Sequence, residues 1–89
     1  MVRMFAVHAV KDYAAWREVY DAFGEARRSF GVTGDAVFQS LDDPHEVTIW
    51  HDFPTREAAD AFASSDRLKE TMASAGVTGE PRIWFTNEV

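Results

Sequence analysis

Cysteine is absent from the 89 residues. That excludes a disulfide framework and any thiol chemistry. Long apolar runs are missing too, and none approaches the roughly 20 residues that a membrane-spanning helix needs. The opening stretch M-V-R-M-F-A-V-H-A-V is apolar but short. It carries no cleavage-site pattern and reads as a first strand, so the cytoplasm is the expected location. Basic charge is scarce: nine Lys and Arg face fifteen Asp and Glu, for a net charge of -6 and a pI near 4.8. Phosphate attraction needs clustered Lys or Arg, so neither nucleic acid nor an anionic membrane is an expected partner. The one basic cluster, Arg27-Arg28, has Glu25 just upstream and reads as a solvated helix face. There is no glycine-rich phosphate loop, no Ser/His/Asp nucleophilic set and no low-complexity segment. Histidines stand only at positions 8, 45 and 51, with no third ligand at metal-site spacing, so no metal is expected.

What is present is apolar and aromatic residues, 46% and 13% of the chain. They suit one globular domain spanning residues 1–89, small enough to gain from a second copy. The stretch E-V-T-I-W-H-D-F, Glu46 to Phe53, is β-branched and aromatic and lies between Asp42-Asp43-Pro44 and Pro54-Thr55. As a strand it puts Val47, Ile49, His51 and Phe53 on one face and Thr48, Trp50 and Asp52 on the other. Large apolar groups on both faces imply burial on both sides. Arg3 to Val10 reads the same way, with Met4, Ala6, His8 and Val10 opposite Phe5, Val7 and Ala9.

Asp12 is placed to cap a helix from Tyr13 to Ser29, where Tyr13, Trp16, Tyr20 and Phe23 recur at intervals of three and four. Gly24 lies inside it, at a cost of about 1 kcal/mol against alanine, and Gly31 ends it. A second strand falls within Val32 to Leu41, centred on Ala36 to Leu41. The turn at 42–45 joins it to Glu46–Phe53 as a hairpin, leaving His45 in solvent. Thr55 and Ser65 act as caps for two short helices, Arg56–Ala63 and Asp66–Ala75. Pro81 opens a last strand, Arg82 to Asn87.

The order is βαββαβ, an α+β ferredoxin-like arrangement of a four-stranded antiparallel sheet with its helices on one face. The other face keeps several apolar side chains, a patch too large to leave in water. A homodimer joined through those sheet faces is the expectation.

The chain resembles the dimeric α/β-barrel superfamily, and more narrowly the small proteins grouped with antibiotic-biosynthesis monooxygenases. The resemblance rests on M-F-A-V-H-A-V, the helix D-Y-A-A-W-R-E-V-Y-D-A-F, the hairpin V-F-Q-S-L-D-D-P-H-E-V-T-I-W-H-D-F, the broken helix A-F-A-S-S-D-R-L-K-E-T-M and the closing R-I-W-F. It implies a pocket between the sheet and its own helices, with no cofactor, for a small apolar or aromatic ligand. Tyr13, Trp16, Tyr20, Phe62, Leu68 and Met72 would supply the walls. Haem degraders of the superfamily carry an iron-binding histidine on the second helical segment; residues 55–75 have none. The oxygenases' ordered asparagine has no clear counterpart, since Asn87 is the only one.

For the chemistry, His51 is the first candidate: a base exchanging protons near neutral pH, or a core histidine tied to a carbonyl. His8 joins it on the neighbouring strand, several residues away. Trp50 and Trp84 either stack on a flat substrate or pack in the core. Arg82 either holds an oxyanion or forms a surface ion pair. Two functions remain: an oxygenase or cyclase/isomerase of polyketide-like molecules, or a non-catalytic ligand-binding or assembly domain. An open cavity containing a His51 nitrogen favours the first, and a filled one the second.

Overall fold

The computed structural model describes residues 1–89. Strands β1 (Val2–Val10), β2 (Gly34–Gln39), β3 (Glu46–Phe53) and β4 (Val77–Asn87) form one antiparallel sheet in the order β2-β3-β1-β4. Helices α1 (Tyr13–Ala22), α2 (Gly24–Ser29), α3 (Arg56–Ala63) and α4 (Asp66–Ser74) complete the βαββαβ chain. Three caps form as the residue types require. Asp12 accepts from the Ala14 N–H, Thr55 from Ala58 and Ser65 from Leu68.

Burial shows which sheet face the helices cover. Met4, Ala6, His8 and Val10 of β1 are buried, as are Val47, Ile49, His51 and Phe53 of β3. Phe62 of α3 is the hub at one end, its ring against Phe23, Phe30, Phe53 and His51. At 1% exposure, such a ring contributes about 1.5–3 kcal/mol by leaving water. Trp16 and Tyr20 of α1 stack on each other over the other end, beside Val10, Val47 and Ile49.

Three boundaries differ from expectation. The helix from Tyr13 to Ser29 breaks at Phe23, whose backbone (φ -84°, ψ 4°) leaves helical geometry. The Tyr20 carbonyl at the break takes the Phe23 N–H and the Arg27 guanidinium. Gly24 therefore starts a helix instead of interrupting one, and the Cβ it lacks would meet the Arg27 and Arg28 guanidiniums rather than the sheet. β2 begins earlier than Ala36 and ends before Leu41, which is wholly exposed. β4 starts at Val77, well before Arg82. Val7 pairs with Arg82 but Ala9 with Thr78, so His8 alone faces Gly79, Glu80 and Pro81. This bulge takes a positive φ (70°) at Gly79 and accommodates Pro81, which has no N–H to give a ladder.

The sheet's second face bears no helix. Arg3 makes two hydrogen bonds to Asp52 (2.7 and 3.0 Å) and lies 3.7 Å over the Trp50 ring. Phe5 stacks on Trp84, with Arg82 over the same indole. His45 lies in the exposed turn as expected, its Nδ1 donating to the Val10 carbonyl.

Candidate active site

Between the helix-covered sheet face and α1, α3 and α4 lies a cavity of about 50 Å³. That is room for about three to five water molecules. Its lining is largely apolar. The polar groups on it are few: His8, His51, Tyr20, Thr71 and Arg27.

His51 and Tyr20 are held by a short chain of hydrogen bonds. The Tyr20 hydroxyl donates to the Asp35 carboxylate at 2.5 Å, which uses its only proton. Its 3.1 Å contact with His51 Nε2 must then be an Nε2–H donated to the Tyr20 oxygen. This fixes the tautomer, because the lone pair is left on Nδ1. That atom is buried and has no partner. The sheet dictates the arrangement: Asp35 of β2 stands directly opposite His51 of β3, so their side chains share a face.

Burial, with a contribution from the Arg27 charge, pushes the His51 imidazolium down to about pKa 4; Asp35 and Asp52 oppose the shift. His51 is therefore neutral at pH 7, a proton acceptor at Nδ1. Burial, and then the hydrogen bond to Asp35, hold the Tyr20 phenol above its ordinary range and keep it protonated. His8 is a different case. It is 6% exposed, its pKa lowered by burial, and neither ring nitrogen has a hydrogen bond. Met4 is the residue opposite His51, so His8 lies four strand residues further on, about 13 Å. The two histidines mark opposite ends of one cavity floor.

Of the residues expected at the pocket, His8, Trp16, Tyr20, His51, Phe62, Leu68 and Met72 line the cavity. Tyr13 does not; it stacks behind Trp16, ring centres 5.9 Å apart. Trp50, Trp84 and Arg82 stand on the uncovered sheet face, so the shared pocket with His51 is corrected for all three. The reason is parity: neighbours along a strand point to opposite faces, and Trp50 adjoins His51.

Two residues of the site went unread in the sequence. Arg27, taken for solvated, is 9% exposed, with its guanidinium 3.7 Å over the Tyr20 ring. The signal was there, since 16, 20, 23 and 27 continue the spacing of the apolar stripe. Asp35 follows from hairpin register once the strand is extended back past Ala36. No three His, Asp or Glu side chains gather closely enough to hold a metal ion. No helix is long and apolar enough to cross a membrane.

This fold is shared with solved structures of antibiotic biosynthesis monooxygenases. No family model matches the chain, and no curated protein matches its sequence. Solved structures do match. An antibiotic biosynthesis monooxygenase superposes with a TM-score of 0.75 at 17% identity, over 100% of this chain and 99% of that one. SnoaB of Streptomyces nogalater, a cofactor-independent oxygenase, gives 0.75 at 11% identity over 99% and 94%. A conserved protein from Methanosarcina mazei Go1 gives 0.77 at 20% identity over 99% and 92%. At these identities the shared property is the fold.

Proposed function

We propose that the chain is a small-molecule enzyme of the antibiotic-biosynthesis-monooxygenase type. It acts on an apolar aromatic or polyketide-like substrate by proton abstraction, leading to cofactor-independent oxygenation or to cyclisation or isomerisation. One observation carries this reading: His51, a residue on the wall of an apolar cavity, has a buried Nδ1 without a partner while its other nitrogen is fixed by Tyr20 and Asp35. A buried nitrogen without a partner is a cost in a merely structural core. In a site it is an acceptor awaiting a proton.

His51 Nδ1 takes the proton from a C–H beside a carbonyl or from a phenol, leaving an enolate or phenolate. In the oxygenase branch that carbanion adds O₂, and the hydroperoxide loses water. A substrate CH₂ and one O₂ thus become C=O and H₂O, with the electrons supplied by the substrate. In the cyclase branch the same carbanion attacks a carbonyl of the same molecule. An imidazolium of pKa about 4 is a poor match for a phenol of ordinary acidity, about 10. The gap, about six units or 8 kcal/mol, favours substrates acidified by a second carbonyl, as polyketides are. The fold's likeness to SnoaB supports the oxygenase branch at the level of architecture.

A cavity of about 50 Å³ is well below the roughly 300 Å³ and more of ordinary ligand pockets, so a ring-sized substrate requires a wall to yield. α4 is that wall: Leu68, Thr71 and Met72 line the cavity, and the helix has no buried residue. A second copy of the chain is the occupant we assign to the uncovered sheet face, which presents Phe5, Val7, Trp50, Trp84 and a 53% exposed Phe38 to solvent. Such a dimer leaves the helix-side cavity free in each copy.

The test is a screen of phenolic and 1,3-dicarbonyl polyketide-like molecules, following oxygen uptake and product mass together. Mass gain with oxygen uptake identifies the oxygenase branch, and isomeric or dehydrated product without uptake the cyclase branch. If turnover in His51→Gln equals that of the wild type, His51 is not the base.

A further inference from the structure

We infer that the cavity selects molecules whose apolar body carries one anionic oxygen group, a carboxylate, phenolate or enolate, with Arg27 as its counter-ion. This deepens the reading above and rests on the same cavity. The oxyanion role expected of Arg82 is unavailable to it from the far sheet face. Arg27 is the cation that does line the cavity, beside Tyr20 and His51.

A guanidinium keeps its charge under any cellular condition and offers five N–H donors. One Arg27 donor is engaged, by the Tyr20 carbonyl. None of the chain's three ion pairs includes Arg27. The nearest acid in the network, Asp35, is committed to the Tyr20 hydroxyl. Charges of both signs lie about this end: Asp35 and Asp52 act on His51, Arg17 lies 5.5 Å over the Tyr20 ring but has its own partner in Asp21, and Arg67 lies over Phe23 at 5.7 Å. Arg27 is largely buried with one donor engaged and no direct ion pair, Asp35 being its neighbour of opposite charge, so an anionic guest would give the guanidinium the hydrogen-bonded counter-ion it lacks. The guest's geometry follows. Arg27 also borders a polar surface cleft of about 160 Å³, shared with Arg28, Thr33 and Asp35. The anionic end therefore sits by Arg27, and the apolar body reaches inward between Phe62 and Ile49 toward His8, whose bare nitrogens stand ready for a second polar group.

Benzoate and its neutral isostere benzamide test this with the full chain at pH 7. Calorimetric titration should show benzoate binding about tenfold or more tightly, the size of one hydrogen bond to a charged group. Arg27→Met should abolish the preference, and Arg27→Lys should keep part of it, having the charge but not the fork. In the wild type, benzoate should shift the Arg27 Nε resonance, a readout that survives if Arg27→Met does not fold. Equal affinities, no binding of either at millimolar concentration, an unmoved Arg27 resonance, or a preference that persists in Arg27→Met each overturn the inference. His51→Gln should retain the benzoate preference. Lost turnover with preference kept, or the reverse, therefore separates the fate of Arg27 from that of the proposed base.

Discussion

His51 and His8 are two histidines on one sheet face, both at least 94% buried, in adjacent strands and on the same cavity. They differ in what holds them. His51 gives Nε2–H to Tyr20, which gives its proton to Asp35, so one nitrogen is anchored and the other is left as an acceptor. His8 has only the Trp16 ring beside it, 5.7 Å away and tilted by 60°, and a bulged strand opposite. Burial alone makes a histidine neutral. It takes a second hydrogen-bonding partner to decide where the lone pair sits. The comparison therefore favours His51 over His8 as the proposed base and leaves His8 as an unanchored polar end.

The largest effect that would sharpen this contrast is on turnover. His51→Gln should lower the rate about 10²- to 10⁴-fold, the usual contribution of one positioned proton acceptor. The same substitution at His8 should cost less than tenfold. Near-equal losses from the two variants, measured on one substrate, would erase the distinction between them.

The next largest concerns acid stability. Unfolded, the His51 side chain takes its proton near pH 6.5; folded, only near 4. Between these values the unfolded chain binds more protons, so stability falls as pH falls, and below about 4 the loss is complete. Two and a half units correspond to about 3 kcal/mol. Urea titrations at pH 7 and pH 4 should show that loss in the wild type, with His8 adding in the same direction. His51→Gln should lack His51's share. A pH 4 loss that is identical in that variant would place the acid sensitivity elsewhere.

How much of this could be read from the residues alone divides along physical lines. The hairpin and the two short helices were legible because Asp-Asp-Pro, Thr55 and Ser65 have local jobs that local sequence declares. The break at Phe23 was not, because the apolar spacing runs straight through it. What accompanies it is a side-chain contact that the spacing does not declare: the guanidinium of Arg27 donates to the Tyr20 carbonyl at the break. Arg27 itself was set aside because charged residues usually face water, although its place in the stripe pointed inward. Trp50, Trp84 and Arg82 were misplaced for a different reason. Both faces of these strands are apolar, so alternation sorts residues into two sets without saying which set the helices cover. Parity alone still forbade Trp50 and His51 from sharing a pocket.

Tyr20→Phe attacks the contrast from the anchored side. It removes the acceptor of His51 Nε2–H and the donor to Asp35, turning His51 into something closer to His8. The expected cost is about 1–3 kcal/mol of stability, the penalty of a buried donor left without a partner. The ¹⁵N shifts of the ring should then show a mixed tautomer instead of Nε2–H alone. Retention of a pure Nε2–H tautomer in Tyr20→Phe would mean that something other than Tyr20 fixes the ring.

The smallest effect comes from the unanchored side. Neither nitrogen of His8 has a hydrogen bond to lose, and the ring beside it is that of Trp16. Replacing a bare buried polar group by an apolar one of similar size removes a desolvation cost and breaks no contact. His8→Leu should accordingly be neutral or stabilising, by up to about 1 kcal/mol, where most core substitutions destabilise. His51→Leu, which breaks the chain to Tyr20 and Asp35, should destabilise. Thermal unfolding of the two variants side by side at pH 7 decides the point. If His8→Leu loses stability as His51→Leu does, then His8 has a partner that its surroundings do not reveal, and the two histidines are alike after all.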